Sequence, residues 1–182
     1  MTQWQTDRCF NHTELDKVAQ AAHNSEELVN NYYKLSTSQW LKDRYDIKTA
    51  KDLAGHELLD GPFAQVIKYQ GRKRGAALGS SLFSYYKVCL QDRAILFASE
   101  DKSFELEPFL LYILTHELVH VVRFSTFEHR YESKNESEMT WEEESKVHSL
   151  TFSILSSVSI PGMEQVLEFY RNWIHPHPGL SA

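Results

Sequence analysis

The chain is poor in residues that break or cross-link a fold: two cysteines, five prolines and seven glycines in 182 residues. Cys9 and Cys89 are too few for a disulfide framework and neither lies in a CxxC, so reduced thiols in a cytoplasmic setting are the expectation. No apolar run approaches the length of a membrane span. The first eight residues lack a basic n-region and an apolar h-region, so export by a standard signal is not expected. Cations are also in deficit. With 19 Lys and Arg against 25 Asp and Glu the net charge is −6, which gives no whole-chain case for nucleic acid as partner. Neither an internal repeat nor a low-complexity linker is present. What is abundant is core material: 42% hydrophobic and 13% aromatic, enough for one α+β domain.

The most informative stretch is His116-Glu117-Leu118-Val119-His120. On a helix, residues four apart share a face, so both imidazoles can address one metal ion. Glu117, next to the first of them, projects toward the side where a water would lie. Two metal ligands plus a general base form the HExxH pattern of zinc hydrolases. Chance alone gives that pattern about 0.04 times in a chain of this composition. The rival pair His56-Glu57 has no second histidine and carries no such meaning. Pro108 fits the first helical position, Glu105 and Glu107 suit the positive N-terminal end, and neither Gly nor Pro interrupts the run to Phe124. The flanks are apolar on nearly every side, as in a buried helix. The competing expectation is a pair of core histidines, with Glu117 paired to an arginine such as Arg123.

Zinc needs a third protein ligand and keeps a fourth position open for water. The downstream candidates are Glu142, Glu143, Glu144, His129 and His148. Stepping about 100° per residue through 141–158 puts Glu142 among the solvent-facing serines and Glu143 at the edge of the apolar stripe. Glu144 falls at its centre. A capping box from Thr140 to Glu143 gives Glu143 another task. Glu144 is therefore the expected ligand, with Glu143 or a histidine as alternatives. His148, one turn beyond, is either a group that orients a ligand, a ligand itself, or a histidine with a backbone partner.

HExxH followed on a second helix by a glutamate resembles the gluzincin branch of the zincin metallopeptidases over roughly residues 63–158. In better-known relatives the third-ligand glutamate is followed four residues later by an aspartate; here His148 stands at that offset. The resemblance implies a compact zincin-like fold, one zinc ion on His116, His120 and Glu144, and hydrolysis of peptide bonds in a peptide or protein substrate with Glu117 as general base. It also implies a sheet strand that pairs with extended substrate, a role that falls to residues 94–98. Two other readings remain: a non-catalytic zincin-like partner-binding module, and a metal-dependent hydrolase of a non-peptide substrate.

Along the chain, residues 1–62 read as a helical front, 63–158 as a small sheet with the metal-site helices, and 159–182 as a final helix and tail. Residues 13–22 and 25–35 read as two helices capped by Thr13 and Ser25, with shorter helical pieces at 38–45 and 49–53. Residues 63–69 read as a strand, and 82–90 with 94–98 as an antiparallel pair. Between Lys68 and Arg93 six basic residues face Asp92 alone. The tight loop at 70–75, with Arg72, Lys73 and Arg74, is either an anionic contact or, as favoured here, a solvated hairpin tip. Residues 125–139 read as a polar connection in which His129 and Tyr131 are candidate oxyanion donors. The last helix is expected at 161–173, with Val166, Leu167, Phe169 and Trp173 inward. His175 and His177, between prolines, belong to a solvated tail.

Overall fold

The helix that carries HELVH, Leu106–Phe127, is the axis of the fold. From Pro108 to Val122 every residue is buried, so neighbouring elements surround it on all sides. The structure is a computed structural model that describes residues 8–36, 44–72, 82–127 and 136–174. In chain order these residues form α1 (His12–Tyr33), β1 (Arg44–Lys48), β2 (Ala64–Arg72), β3 (Leu82–Leu90), α2 (Asp92–Asp101), α3 (Leu106–Phe127), α4 (Glu136–Leu155) and α5 (Met163–Ile174). The sheet runs β1-β3-β2, with β1 parallel and β2 antiparallel to the central β3. Helix α1 lies along α3, β2 packs on α3 from the sheet side, and α4 and α5 close around it. Tyr86, Val88 and Leu90 of β3 join Phe109, Leu110, Leu114 and Leu118 of α3 in the core. The α+β class stands. No helix of the described residues is long and apolar enough to cross a membrane.

Several local expectations are corrected. The front helix is one element, because Ser25 is buried inside it and its hydroxyl bonds to the Ala22 carbonyl instead of capping a new helix. Its cap is Asn11, which accepts from the Glu14 N–H while Glu14 accepts from the Asn11 N–H. Residues 44 and 45, expected at the end of a helical piece, instead open strand β1, where Tyr45-Asp46-Ile47-Lys48 alternates with period two beside β3. Residues 38–43 lie outside the described residues. The piece at 49–53 is a single 3-10 turn, Ala50–Asp52. Residues 94–98 are not a strand but the body of α2, and no antiparallel pair with β3 exists there. Five apolar residues cannot by themselves separate helix from strand. The decision comes from Asp92 in the first turn of α2, buried and accepting the N–H groups of Phe10 and Ala50 at 2.9 and 2.8 Å. The final helix begins at Met163, after a turn in which Gly162 has φ +77 and packs against Pro108. Val166 and Leu167 are buried and Phe169 half-buried, whereas the Trp173 side chain, His175 and His177 lie outside the described residues.

The loop between the 3-10 turn Gly55–Glu57 and β2 is held by one buried carboxylate. Glu57 receives the Lys87 ammonium at 2.6 Å, the Tyr69 hydroxyl at 2.7 Å and the Ala54 N–H at 2.8 Å. Gln91 adds a bond to the Glu57 carbonyl and accepts the Leu59 N–H. His56-Glu57 thus has a structural role. Those donors, Lys87 first, bring the Glu57 carboxyl down from 4.5 to about 2. Its folded value is the lower one, so its stabilisation is fully present above 4.5 and is lost as pH falls through about 2. Acid unfolding followed by circular dichroism should therefore show a shallower loss of stability over that window in Glu57→Gln than in wild type. Identical slopes would remove Glu57 as a contributor.

Candidate metal centre

Three side chains converge where α4 passes beside α3. His116 and His120 point from one face of α3, one turn apart, and Glu144 reaches them from α4. His116 Nε2 lies 3.2 Å from His120 Nε2 and 3.4 Å from Glu144 Oε2, and His120 Nε2 lies 3.2 Å from Glu144 Oε1. Ligand bonds of about 2.0–2.1 Å in a tetrahedron place ligand atoms about 3.3–3.4 Å apart. The observed spacing fits that figure. Among the described residues this is the one group of three or more potential metal ligands, with its ligand atoms all within 4.8 Å of one another. The helical-wheel assignment of Glu144 over Glu142 and Glu143 agrees with this placement, and Glu142 is exposed.

Electrostatics follow from burial and charge. Burial pushes the Glu144 carboxyl up, but the hydrogen bonds from His116 and His120 outweigh it and hold the group well below the usual carboxylate range. His120 feels burial downward and Glu144 upward, and the carboxylates win. Glu117 is buried, no hydrogen-bond donor among the described residues meets it, and desolvation raises its pKa against the opposing pull of the two histidines. The Nδ1 atoms of His116 and His120 are buried without a hydrogen-bond partner among the described residues. That differs from the usual zinc histidine, whose second nitrogen donates to a carbonyl or carboxylate.

Glu143 takes a different partner from the one expected. Helix α4 starts at Glu136, so Thr140 lies inside it and cannot be its N-cap. Instead Glu143 forms a two-pronged pair with Arg123, at 2.5 Å to Nε and 2.7 Å to Nη2. This pair ties α3 to α4 next to the three converging side chains. Arg123, the partner considered for Glu117, thus pairs with Glu143. Helices α3 and α4 extend to Phe127 and from Glu136, so the polar connection is shorter than 125–139; His129 and Tyr131 lie outside the described residues. So do Lys73 and Arg74 of the basic loop, whereas Arg72 ends β2.

An open cavity of about 560 Å³ spreads from the centre. One wall is Gly61 to Val66, leading into β2; the other is aromatic, with Tyr112, Phe124, Phe169 and Tyr170 around His116, Glu117 and Glu144. No sequence pattern assigns Tyr112 to the site. It stands one turn before His116 on the same helical face, its ring stacks on Tyr170 at 4.0 Å, and its hydroxyl lies 2.8 Å from His148 Nδ1. Burial drives the Tyr112 phenol far above its ordinary value, so it keeps its proton. Burial, with His116 beside it, brings His148 down to about 3. His148 is not one of the three candidate ligands. Comparison with protein-family models, with curated proteins and with solved structures returns no match for the chain.

Proposed function

We propose that this chain is a zinc-dependent hydrolase of peptide bonds in which His116, His120 and Glu144 hold one ion and Glu117 is the general base. The observation that carries the reading is the convergence of His116 Nε2 and His120 Nε2, 3.2 Å apart, each 3.2–3.4 Å from one oxygen of the Glu144 carboxylate, beside the buried Glu117 on the wall of an open cavity. When bound, zinc supplies Lewis acidity, which lowers the pKa of water and polarises a carbonyl. The chain's own residues do the rest. Glu117 takes a proton from the attacking water as its oxygen bonds to the carbonyl carbon. It then returns that proton to the departing amine nitrogen as the C–N bond breaks. Burial raises its proton affinity, which suits a group that must accept and then donate.

Peptide is favoured as substrate by the wall opposite the aromatics. Residues 94–98 form part of α2, so the strand-pairing role cannot be theirs. Among the described residues strand β2 pairs with β3 on one side only, and its first residues, Ala64 to Val66, line the cavity. An extended chain laid there can bond to the free backbone edge. A cytoplasmic setting belongs to the same proposal and accords with two unpaired thiols, one exposed and one buried. Protein purified without chelator should carry about one zinc per chain, and a peptide library should yield cleaved bonds that chelation protects. Absence of both metal affinity and cleavage would falsify the proposal.

A further inference from the structure

Resting on that hydrolytic reading, we propose that the substrate is a long extended polypeptide segment that continues from the candidate centre across Gly61 into a second groove, where an apolar side chain of the substrate seats against Leu58 and Leu59. A second cavity of about 350 Å³ borders the first. Leu58 to Gly61 line it, Gly61 to Val66 line the cavity of the candidate centre, and Gly61 belongs to both. One unbroken stretch, Leu58 to Val66, therefore walls both spaces. Its last three residues open β2, on the edge already assigned to the peptide backbone. A peptide laid there and prolonged past Ala64 meets Gly61 next and the two leucines after it. From Ala64 back to Leu58 the chain covers at most about 21 Å, so about six extended substrate residues reach from one to the other.

The groove is shaped in advance. Gln91, buried, holds its wall at three points. The side-chain amide donates to the Glu57 carbonyl at 2.9 Å, Oε1 accepts the Leu59 N–H at 3.1 Å, and the Gln91 N–H donates to the Phe63 carbonyl at 2.8 Å. So fixed, Leu58 and Leu59 stay 46% and 41% exposed instead of folding onto the core. Single leucines scattered over a surface are ordinary, but two adjacent ones pinned beside a cavity offer a seat to an apolar partner. Of the charged side chains that line this cavity, Asp92 accepts the N–H groups of Phe10 and Ala50, and Arg8 donates twice to Glu14. Neither calls for a charged ligand. Gly61, on the ridge between the two spaces, has φ +115, and a Cβ placed there would meet nothing within 4 Å. The ridge carries no side chain and faces open space, which lets a chain cross it.

Peptides of two lengths test this. A capped peptide of about four residues around the cleaved bond reaches the centre alone. Lengthened by about six residues that include leucine, on one side of that bond, it should gain at least about tenfold in kcat/KM, the scale of one good apolar contact. The same extension with aspartate in place of leucine should gain less than about threefold. In Leu58→Ser with Leu59→Ser the tenfold gain should vanish. Both side chains are near half exposed, so the fold should be kept, and turnover of the short peptide by the same preparation checks it. Zinc-loaded Glu117→Gln supplies a readout without turnover: by fluorescence anisotropy it should bind the leucine-bearing long peptide at least about tenfold tighter than the short one, and the serine substitutions should abolish the difference. A gain that survives the serines would overturn the groove. So would sedimentation showing that Leu58 and Leu59 join two copies of the chain and that the long peptide does not compete. A wild type that cleaves neither length defeats the hydrolytic reading and this proposal with it. A wild type that cleaves both lengths equally defeats the groove alone.

Discussion

Glu117→Gln is expected to lower peptide hydrolysis by about 10²–10⁴-fold, the usual contribution of a positioned general base. The amide keeps the size of the side chain but takes up no proton at neutral pH. Zinc affinity should be retained, because Glu117 is not among the three candidate ligands. The fold should also survive, and a second readout follows from burial. In the metal-free protein the carboxylate is buried and its pKa is raised by desolvation. The folded state then binds its proton more tightly than the unfolded state, so Glu117 withdraws stability as pH rises above its unfolded value. Removing the charge should leave metal-free Glu117→Gln at least as stable as wild type at neutral pH. A residue whose neutralisation costs no stability but lowers turnover would be placed for chemistry. Turnover, zinc content and thermal unfolding measured on one preparation decide the matter. A zinc-loaded Glu117→Gln protein that hydrolyses as fast as wild type would exclude the mechanism.

The candidate site was more legible in the sequence than the fold around it. His116, Glu117 and His120 lie on one helix, where spacing alone determines which side chains share a face. Glu144 was accessible for a related reason: the wheel of α4 is strongly two-sided, with Val147, Thr151, Ile154 and Leu155 buried and Lys146, Ser149, Ser153 and Ser156 exposed. Long-range partners were not accessible. Nothing local to Glu143 announces Arg123, twenty residues upstream on another helix, and the short-range capping box at Thr140 was the competing local solution. Residues 94–98 show the same limit in secondary structure. Ala-Ile-Leu-Phe-Ala suits strand and helix alike, and the buried Asp92, bonded to backbone at Phe10 and Ala50, belongs to tertiary structure. Tyr112 is an intermediate case. Its place one turn before His116 could be read from the chain, whereas its bond to His148 needed the approach of α4 to α3.

Replacing a ligand should have the largest effect on metal, and the two adjacent glutamates should separate cleanly. His116→Ala or His120→Ala removes one of the three proposed ligands. Losing only an outer partner of a ligand costs about 10–100-fold in affinity, so losing the ligand itself should cost more than about 100-fold. Glu144→Gln should do the same, since an amide oxygen carries no charge to offset a divalent cation. Glu143→Gln should act elsewhere. It breaks the half-buried pair with Arg123, whose side chains are 16% and 10% exposed, and leaves the guanidinium without its carboxylate. Between the small worth of exposed pairs and the larger cost of breaking buried ones, a loss of about 1–3 kcal/mol in stability is expected. Its zinc affinity should stay within about tenfold of wild type, the remaining change reflecting a looser fit of α4 on α3. Thermal unfolding with and without zinc reads both effects at once. Ion at about a thousandfold excess over its dissociation constant stabilises the fold by about 4 kcal/mol. Wild type and Glu143→Gln should show that gain, Glu143→Gln from a lower baseline. Glu144→Gln should start near the wild-type baseline and gain little at the same zinc concentration. The reverse pattern, with Glu144→Gln responding fully to zinc and Glu143→Gln not at all, would move the third ligand to Glu143 and sink the centre described here.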